Sequence, residues 1–471
     1  MNVYLATLGC RLNEAEIADW DRELGKCGHL AVANAENAHV IVVNSCAVTA
    51  EAARKSRKLT SSLRRRAPHA RVILTGCYAS LDIDRARALA GVDAVISNQD
   101  KPVLVERLEA LAVNYTDETT NNANAPILAA RVAKTRAFIK VQDGCRNRCT
   151  FCIVTIARGA ERSRTVADIV DQIAIAAASG VREAVLTGVH LGGFGSDNGS
   201  NLSELVRAIL ADTDILRLRL SSLEPWDLPA DFHSLWQSPR LAPHLHLPLQ
   251  SGCDATLKRM ARRCPTERYQ RLVDRLRCNI DDLVLTTDLI VGFPGETDKE
   301  WSQTKSFVKS IGFADMHIFT YSTREGTAAA RFGGQIDSAI KKARSAEMHA
   351  IASHMKHATL SRFIGHTRPV LWEPAFAGKS TNGNSKRGEN GTRRYLGYTD
   401  NYLRVEANME IGLEGINLEG LVCPAQLTSI RNGRLQATLD NAAFTQNYPN
   451  SISSSLEPRP RVHLPVSSSS F

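Results

Sequence analysis

The sequence predicts an α/β protein in three parts: an N-terminal doubly wound parallel sheet, a central partial barrel of six βα units, and a small C-terminal β-barrel. Three observations carry this. Short apolar runs alternate with helical stretches at the pitch of βαβ units over residues 2–98 and again over 136–321. A chain of 471 residues exceeds one ordinary core, since domains average about 100 to 200 residues. Beyond residue 362, valine, tyrosine and leucine recur in short alternating runs, the period of strands with one buried face.

In the first part, assigned to residues 1–113, strands are expected at 3–7, 40–44, 71–75 and 94–96, with helices at 14–25 and 50–66. A polar stretch without periodicity marks a linker over 114–130. The central part, 131–361, carries strand-like runs at 137–141, 183–186, 216–220, 244–249, 283–290 and 315–321, and ends in a helix over 338–361. Such a barrel places its chemistry at the C-terminal ends of the strands. The β-barrel is expected over 362–431, with 382–392 as an inserted polar loop. A disordered tail is expected over 432–471, where 449–471 is rich in serine and proline.

Composition narrows the function. Hydrophobic residues make up 43% and charged residues 23%, the proportions of a soluble globular protein. No apolar run reaches the ~18 residues of a membrane helix. Thr7-Leu8-Gly9-Cys10 has the look of a lipoprotein cleavage box, but no basic segment precedes it and the apolar stretch before it is too short. Eleven cysteines, an odd number scattered along the chain, argue against a disulfide framework and for reduced thiols in the cytoplasm, some of them holding metal. Lysine and arginine exceed aspartate and glutamate by 58 to 49, a balance compatible with a polyanionic partner.

Directly after the strand at 137–141, Gly144-Cys145-Arg146-Asn147-Arg148-Cys149-Thr150-Phe151-Cys152 gives the spacing C-x3-C-x2-C. Three thiolates on one tight loop can hold three corners of a cubane 4Fe-4S cluster, whereas an electron-transfer cluster ordinarily takes four. The fourth iron stays open. It can chelate the amino and carboxylate groups of S-adenosylmethionine and pass an electron to the sulfonium, releasing a deoxyadenosyl radical. A zinc knuckle would need four ligands, usually two C-x2-C pairs, and only Cys149 and Cys152 form one.

Cys10, Cys46 and Cys77 each follow a predicted parallel strand, separated by about one βαβ period of ~30 residues. Open α/β sheets bind ligands at that edge, so the three can converge on a second cluster with an open iron. Singly, each would more often be a core residue. Cys27, Cys253, Cys264, Cys278 and Cys423 show no such pattern and read as packing residues.

With both trios in hand, the chain to about residue 430 resembles the radical S-adenosylmethionine methylthiotransferases. The matching stretches are Thr7-Leu8-Gly9-Cys10, Val43-Asn44-Ser45-Cys46, Thr75-Gly76-Cys77-Tyr78, the triple-cysteine loop, and Asp288-Leu289-Ile290-Val291-Gly292-Phe293-Pro294-Gly295-Glu296. The resemblance implies two 4Fe-4S clusters, the first held by Cys145, Cys149 and Cys152 and the auxiliary one by Cys10, Cys46 and Cys77. It also implies S-adenosylmethionine, an external one-electron donor, a tRNA partner and a C-terminal TRAM-like barrel. Cys152-Ile153-Val154-Thr155-Ile156-Ala157-Arg158-Gly159 followed by Arg162-Ser163-Arg164 looks like the branch acting on threonylcarbamoyladenosine. The isopentenyladenosine and ribosomal-protein branches are the nearest rivals, and a non-catalytic iron-sulfur RNA-binding protein is the rival of another class. Oligomeric state stays open.

Groups at barrel strand ends are expected around the cofactor: Thr187 and Gly188, Ser222 and Glu224, Gln250 and Ser251, Asp288, and residues 321–324. Phe151 resembles the family's aromatic position beside the adenine. Gly292 and Gly295 flank Phe293-Pro294, which alone would read as an ordinary turn. Arg158, Arg162 and Arg164 are candidates for phosphate binding. Arg54, Lys55, Arg57, Lys58, Arg64, Arg65 and Arg66 read first as a solvated helix face. Arg393, Arg394, Tyr395, Tyr398, Tyr402 and Arg404 interleave charge with rings, as base stacking and backbone neutralisation require.

Overall fold

The computed structural model describes residues 1–112, 135–373, 392–410 and 417–439. The expected linker, the inserted loop up to residue 391 and the serine-rich tail from 449 lie outside the described residues.

The first unit is a five-stranded parallel sheet built from β1 (Asn2–Thr7), β2 (Leu30–Ala31), β3 (Val40–Ser45), β4 (Arg71–Gly76) and β5 (Ala94–Val95), in the order β2-β1-β3-β4-β5. Successive side chains of a strand point to opposite faces. Accordingly Tyr4, Ile41, Val43 and Leu74 enter one core, while Val3, Leu5, Val40, Val42 and Ile73 enter the other with Trp20 and Leu24. This double burial explains why the central strands read as continuous apolar runs. The helix Ala50–Arg66 begins where expected because the Thr49 hydroxyl caps it, accepting from the Ala52 N–H at 3.1 Å. The first helix runs over Arg11–Lys26 and starts ahead of expectation. Its N-cap is Cys10, which makes no side-chain cap, so the usual start signal is missing from the sequence.

The central unit has six parallel strands: β6 (Arg136–Lys140), β9 (Glu183–Thr187), β10 (Arg217–Leu220), β11 (His244–His246), β12 (Val284–Val291) and β13 (Asp315–Thr320). They form two three-stranded sheets, β6-β9-β10 and β11-β12-β13, joined by parallel bridges between Leu218 and Leu241 and between Ser222 and His246. Between β6 and β9 lies a short antiparallel hairpin of β7 (Gln142–Asp143) and β8 (Arg162–Ser163), which closes the base of the three-cysteine loop.

Charged layers line the barrel interior. At its floor Glu183, fully buried, meets Arg136 at 2.7 Å, Arg219 at 2.9 Å and Arg217 at 3.4 Å. Burial opposes the carboxylate's charge, but Arg219 and Arg136 outweigh it and hold its pKa well below the usual range. The same arginines reach the C-terminal barrel: Arg217 donates to the Pro369 carbonyl at 3.1 Å and Arg219 to that of Asp400 at 3.0 Å. One layer up, Asp288 binds His246 and His317, each at 3.1 Å. Asp288, expected to face the cofactor, thus has both its carboxylate partners inside the barrel. Its hydrogen bond raises the His317 pKa against the effect of burial, and the two histidines in turn outweigh burial to hold Asp288 low.

The third unit is a closed antiparallel-rich barrel of β14 (Thr367–Glu373), β15 (Thr392–Thr399), β16 (Arg404–Glu410), β17 (Val422–Arg431) and β18 (Arg434–Thr438), ordered β14-β15-β16-β18-β17. The expected tail from 432 is corrected here, because β18 completes the ladder. Asn432-Gly433, both at positive φ, turn the chain between Arg431 and Arg434, a two-residue hairpin signal the sequence displays.

The rings expected to stack on RNA are also corrected. Tyr395 is buried in the barrel core. Tyr398 and Tyr402 stack on each other at 4.7 Å, with Arg136 5.0 Å from the first ring and Arg219 4.5 Å from the second. They form the seam between the central unit and the barrel, and their faces are taken by arginines. No helix among the described residues is long and apolar enough to cross a membrane.

Two outcomes follow from the barrel interior. Glu183→Gln leaves the buried Arg217 and Arg219 without a paired carboxylate and Arg136 with Glu373 alone, at 3.1 Å, and costs about 3 kcal/mol, read by chemical denaturation; a cost under about 1 kcal/mol would contradict this reading. NMR titration of His317 should give a pKa above the ordinary ~6.5 that falls back in Asp288→Asn. The sign follows from linkage: this pair's stabilisation is full below ~6.5 and disappears as pH rises through the raised folded value.

Candidate functional site

The strand order of the first unit reverses direction between β1 and β3, and open sheets bind ligands outside the carboxyl ends of the strands at such a switch point. Cys10 follows β1, Cys46 follows β3 and Cys77 follows β4. Cys46 and Cys77 are buried, and Cys10 is open to solvent. The loops touch: a Cβ added at Gly9 would lie 2.6 Å from that of Cys46. Cys46 is pinned through both its N–H and its carbonyl to the Ser56 hydroxyl, at 3.0 and 2.9 Å. Burial, with like charge on Cys10 and Cys77, pushes the Cys46 thiol up to about 12.

The second trio sits on the loop between β7 and β8. Cys145 N–H donates to the Gly159 carbonyl at 3.1 Å, and the Cys152 N–H to that of Cys149 at 3.0 Å, so the loop is closed on itself. Thr150 anchors it to the barrel, donating through N–H to Met260 at 3.1 Å and through its hydroxyl to Arg259 at 2.8 Å. Backbone N–H groups of Asn147 and Val154 point at the Cys145 and Cys152 sulfurs, each at 3.4 Å. Burial pushes Cys145 up to about 11 and Cys152 to about 12. Gly144 enters the loop at φ +72°, and a Cβ there would lie 1.9 Å from the Ala160 carbonyl oxygen.

The two trios adjoin. Asn98 of the first unit donates its side-chain amide to Cys77 Sγ at 3.8 Å and to the carbonyl of Ala157 at 2.7 Å, in the short helix Val154–Arg158 that leaves Cys152. Arg324, beyond β13, donates to the Ala47 carbonyl beside Cys46. All eleven cysteines are free thiols. Two sets of three unbridged cysteines have the donor type and number that a 4Fe-4S cluster with one open iron takes, whereas structural zinc closes its site with four ligands.

The expected cofactor ring is partly assembled. Phe151 packs edge-on against Phe293 at 6.5 Å, in a cluster with Ile290, Tyr321 and Met260. Gly188 lies against Gln142, whose amide donates to the carbonyls of Asp143 and Gly144 at the root of the loop. Gln250, at φ +69°, links β11 to β12 by donating its N–H to the Asp288 carbonyl and accepting from Ile290. Ser222 is exposed at the barrel rim. Glu224 pairs with Arg262 at 2.6 Å.

Other expectations are corrected. Arg158 is not free for phosphate: it is 2% exposed and bonded to Glu16, Asp143 and Asn13. Arg164 is likewise committed, to Gln172 and the Lys140 carbonyl, while Arg162 is exposed. The helix Ala50–Arg66 does carry the expected solvated face: Arg54 and Arg66 are exposed and pair with Glu51 and Glu36, and Arg64 pairs with Asp93. Cys253, Cys264 and Cys423 pack as expected, but Cys27 and Cys278 are exposed.

Sequence reasoning missed Arg262 and His190. Arg262 lies 4.3 Å over Trp226, donates to the Pro248 carbonyl at 2.6 Å and reaches Cys149 Sγ at 3.9 Å. His190 is buried between Glu161 and Asp227, both at 2.5 Å, and faces Cys145. Burial would lower its pKa, but the two carboxylates outweigh that and raise it. Neither residue stands at a spacing that ties it to the cysteines.

The comparisons agree with this geometry. A family model described as the radical SAM superfamily matches residues 139–308, and one described as uncharacterized protein family UPF0004 matches 2–97. The threonylcarbamoyladenosine tRNA methylthiotransferase MtaB of Thermotoga maritima is 37% identical over 79% of this chain and 86% of its own length. That of Bacillus subtilis is 33% identical over 85% and 88%. A tRNA-2-methylthio-N(6)-dimethylallyladenosine synthase of Desulfotalea psychrophila is 30% identical over 79% and 88%. Among solved structures, the radical S-adenosylmethionine methyltransferase TsrM of Kitasatospora setae superposes with a TM-score of 0.50 at 15% identity, over 68% of this chain and 72% of that one, a likeness of fold. On this identity and coverage the chain belongs to the radical S-adenosylmethionine methylthiotransferases, enzymes that work with S-adenosylmethionine and a 4Fe-4S cluster and, in this branch, a second cluster.

Proposed function

We propose that the protein inserts a methylthio group at carbon 2 of threonylcarbamoyladenosine in tRNA, with Cys145, Cys149 and Cys152 holding the radical cluster and Cys10, Cys46 and Cys77 the auxiliary one. One observation carries the reading: three free cysteines follow neighbouring parallel strands, and one of them, Cys77, is joined through Asn98 to the helix that leaves the triple-cysteine loop. With its clusters bound, the site would pass one electron from an external donor to the sulfonium of S-adenosylmethionine and carry the sulfur to be transferred.

The protein's own groups supply position and field. Arg262 places positive charge beside Cys149 and fixes Glu224 at the rim, where an amino group of the cofactor could be met. The Asn147 and Val154 N–H groups aimed at Cys145 and Cys152 stabilise thiolate over thiol. Phe151, the ring an adenine would meet, is backed by the buried Phe293 and Tyr321, which pack edge to face in one cluster. Exposed Arg162, Arg393, Arg394 and Arg404, with a net charge of +9, suit a phosphate backbone. The expected cofactor ligands Gly188, Ser222, Glu224 and Gln250 remain part of this proposal, as does residence in the cytoplasm, where thiols stay reduced.

Nucleosides from tRNA of a deletion strain should lack the 2-methylthio form of threonylcarbamoyladenosine and accumulate its precursor by mass spectrometry. An unchanged level overturns the substrate assignment. Anaerobically reconstituted protein should hold about eight irons, and Gly144→Ala about four, because only the loop at Cys145 is disturbed. Full loading of Gly144→Ala would contradict the placement of the radical cluster.

A further inference from the structure

Five charged side chains are packed together where the first unit meets the central one. Glu16 is bonded by Lys101 at 2.5 Å, Lys140 at 2.9 Å and Arg158 at 3.0 Å. Asp143 is bonded by Lys140 at 2.6 Å and Arg158 at 3.0 Å. Glu16, Lys101 and Arg158 are all under 5% exposed. Asn44 completes the group, donating to Glu16 at 2.9 Å and accepting from Lys101 at 3.1 Å. Asp19, a further carboxylate nearby, is itself taken by Arg22 and by Gln172.

Three cations thus share two carboxylates, and one positive charge is left over in a buried place. Such a surplus is expensive unless something anionic faces it. What faces it is the trio at the switch point. Arg158 donates its second guanidinium nitrogen to Asn13 Oδ1 at 2.8 Å, and Cys10 Sγ lies 3.8 Å from that oxygen, one side chain away from the guanidinium. Cys149 of the other loop has its own cation, Arg262, at 3.9 Å. A 4Fe-4S core in its 2+ state held by three thiolates carries a net charge of −1, which matches the surplus, and reduction makes it −2.

We propose that Arg158, at the end of the helix leaving the radical loop, is a positioning residue that supplies the counter-charge of the auxiliary centre across the domain seam and thereby sets its reduction potential. This rests on the reading that Cys10, Cys46 and Cys77 hold a cluster. The second centre is then electrostatically complete only when the two units are docked.

The test is an EPR-monitored potentiometric titration of the reconstituted full chain with dithionite and mediators. Added S-adenosylmethionine marks the radical cluster, whose signal it perturbs. Arg158→Gln removes a positive charge and should lower the potential of the other cluster, shifting its reduced-to-oxidised ratio about tenfold, or ~59 mV for one electron. Glu16→Gln removes a negative charge and should shift it by a similar factor in the opposite direction, and Arg158→Lys should restore most of the parent value. A purely structural role would not produce opposite signs from two neighbours in one bonded pair. Two clusters in the parent with potentials unmoved, or moved the same way by both variants, overturn this proposal alone. A parent with a single cluster overturns it together with the reading beneath it. Should Arg158→Gln fail to fold, Glu16→Gln and Arg158→Lys still decide.

Discussion

Parallel strands end on one edge, and the placement of both cysteine trios depends on that constraint. In the first unit it gathers Cys10, Cys46 and Cys77 from loops far apart in sequence at the point where the strand order reverses. In the central unit it sets the loop of Cys145, Cys149 and Cys152 at the end of β6, anchored by Thr150 to the carbonyls of Arg259 and Met260. Two edges of this kind must face each other for one cluster to serve the other. Asn98 and Arg158 hold them so, through groups that belong to neither trio.

Much of this was legible because it is periodic. The alternation of apolar runs and helices located all six strands of the partial barrel, and the helix Ala50–Arg66 coincides with its expected span because Thr49 supplies an ordinary cap. The cysteines were legible because the chemistry demands both their type and their place at strand ends. The start of the helix Arg11–Lys26 was not, since Cys10 stands where a capping oxygen would and makes no side-chain cap. β18 was overlooked although Asn432-Gly433 signals a hairpin.

What sequence could not display is how charged and aromatic residues are spent. Arg158 lies in a basic group beside the radical loop and reads as a phosphate ligand, yet its partners Glu16 and Asp143 come from two different units. Tyr398 and Tyr402 read as platforms for bases, yet Arg136 and Arg219 cover them in a seam. Pattern reports which residues are charged or flat, and only the fold reports which neighbour claims them. The same holds for Asp288, whose carboxylate is spent on His246 and His317 inside the barrel.

The proposed chemistry needs iron bound at two places by three thiolates each. Anomalous diffraction at the iron absorption edge from anaerobically grown crystals measures this most directly. Strong iron peaks should appear both among Cys10, Cys46 and Cys77 and among Cys145, Cys149 and Cys152. A peak at one trio only, or signal at the zinc edge at either, would contradict it.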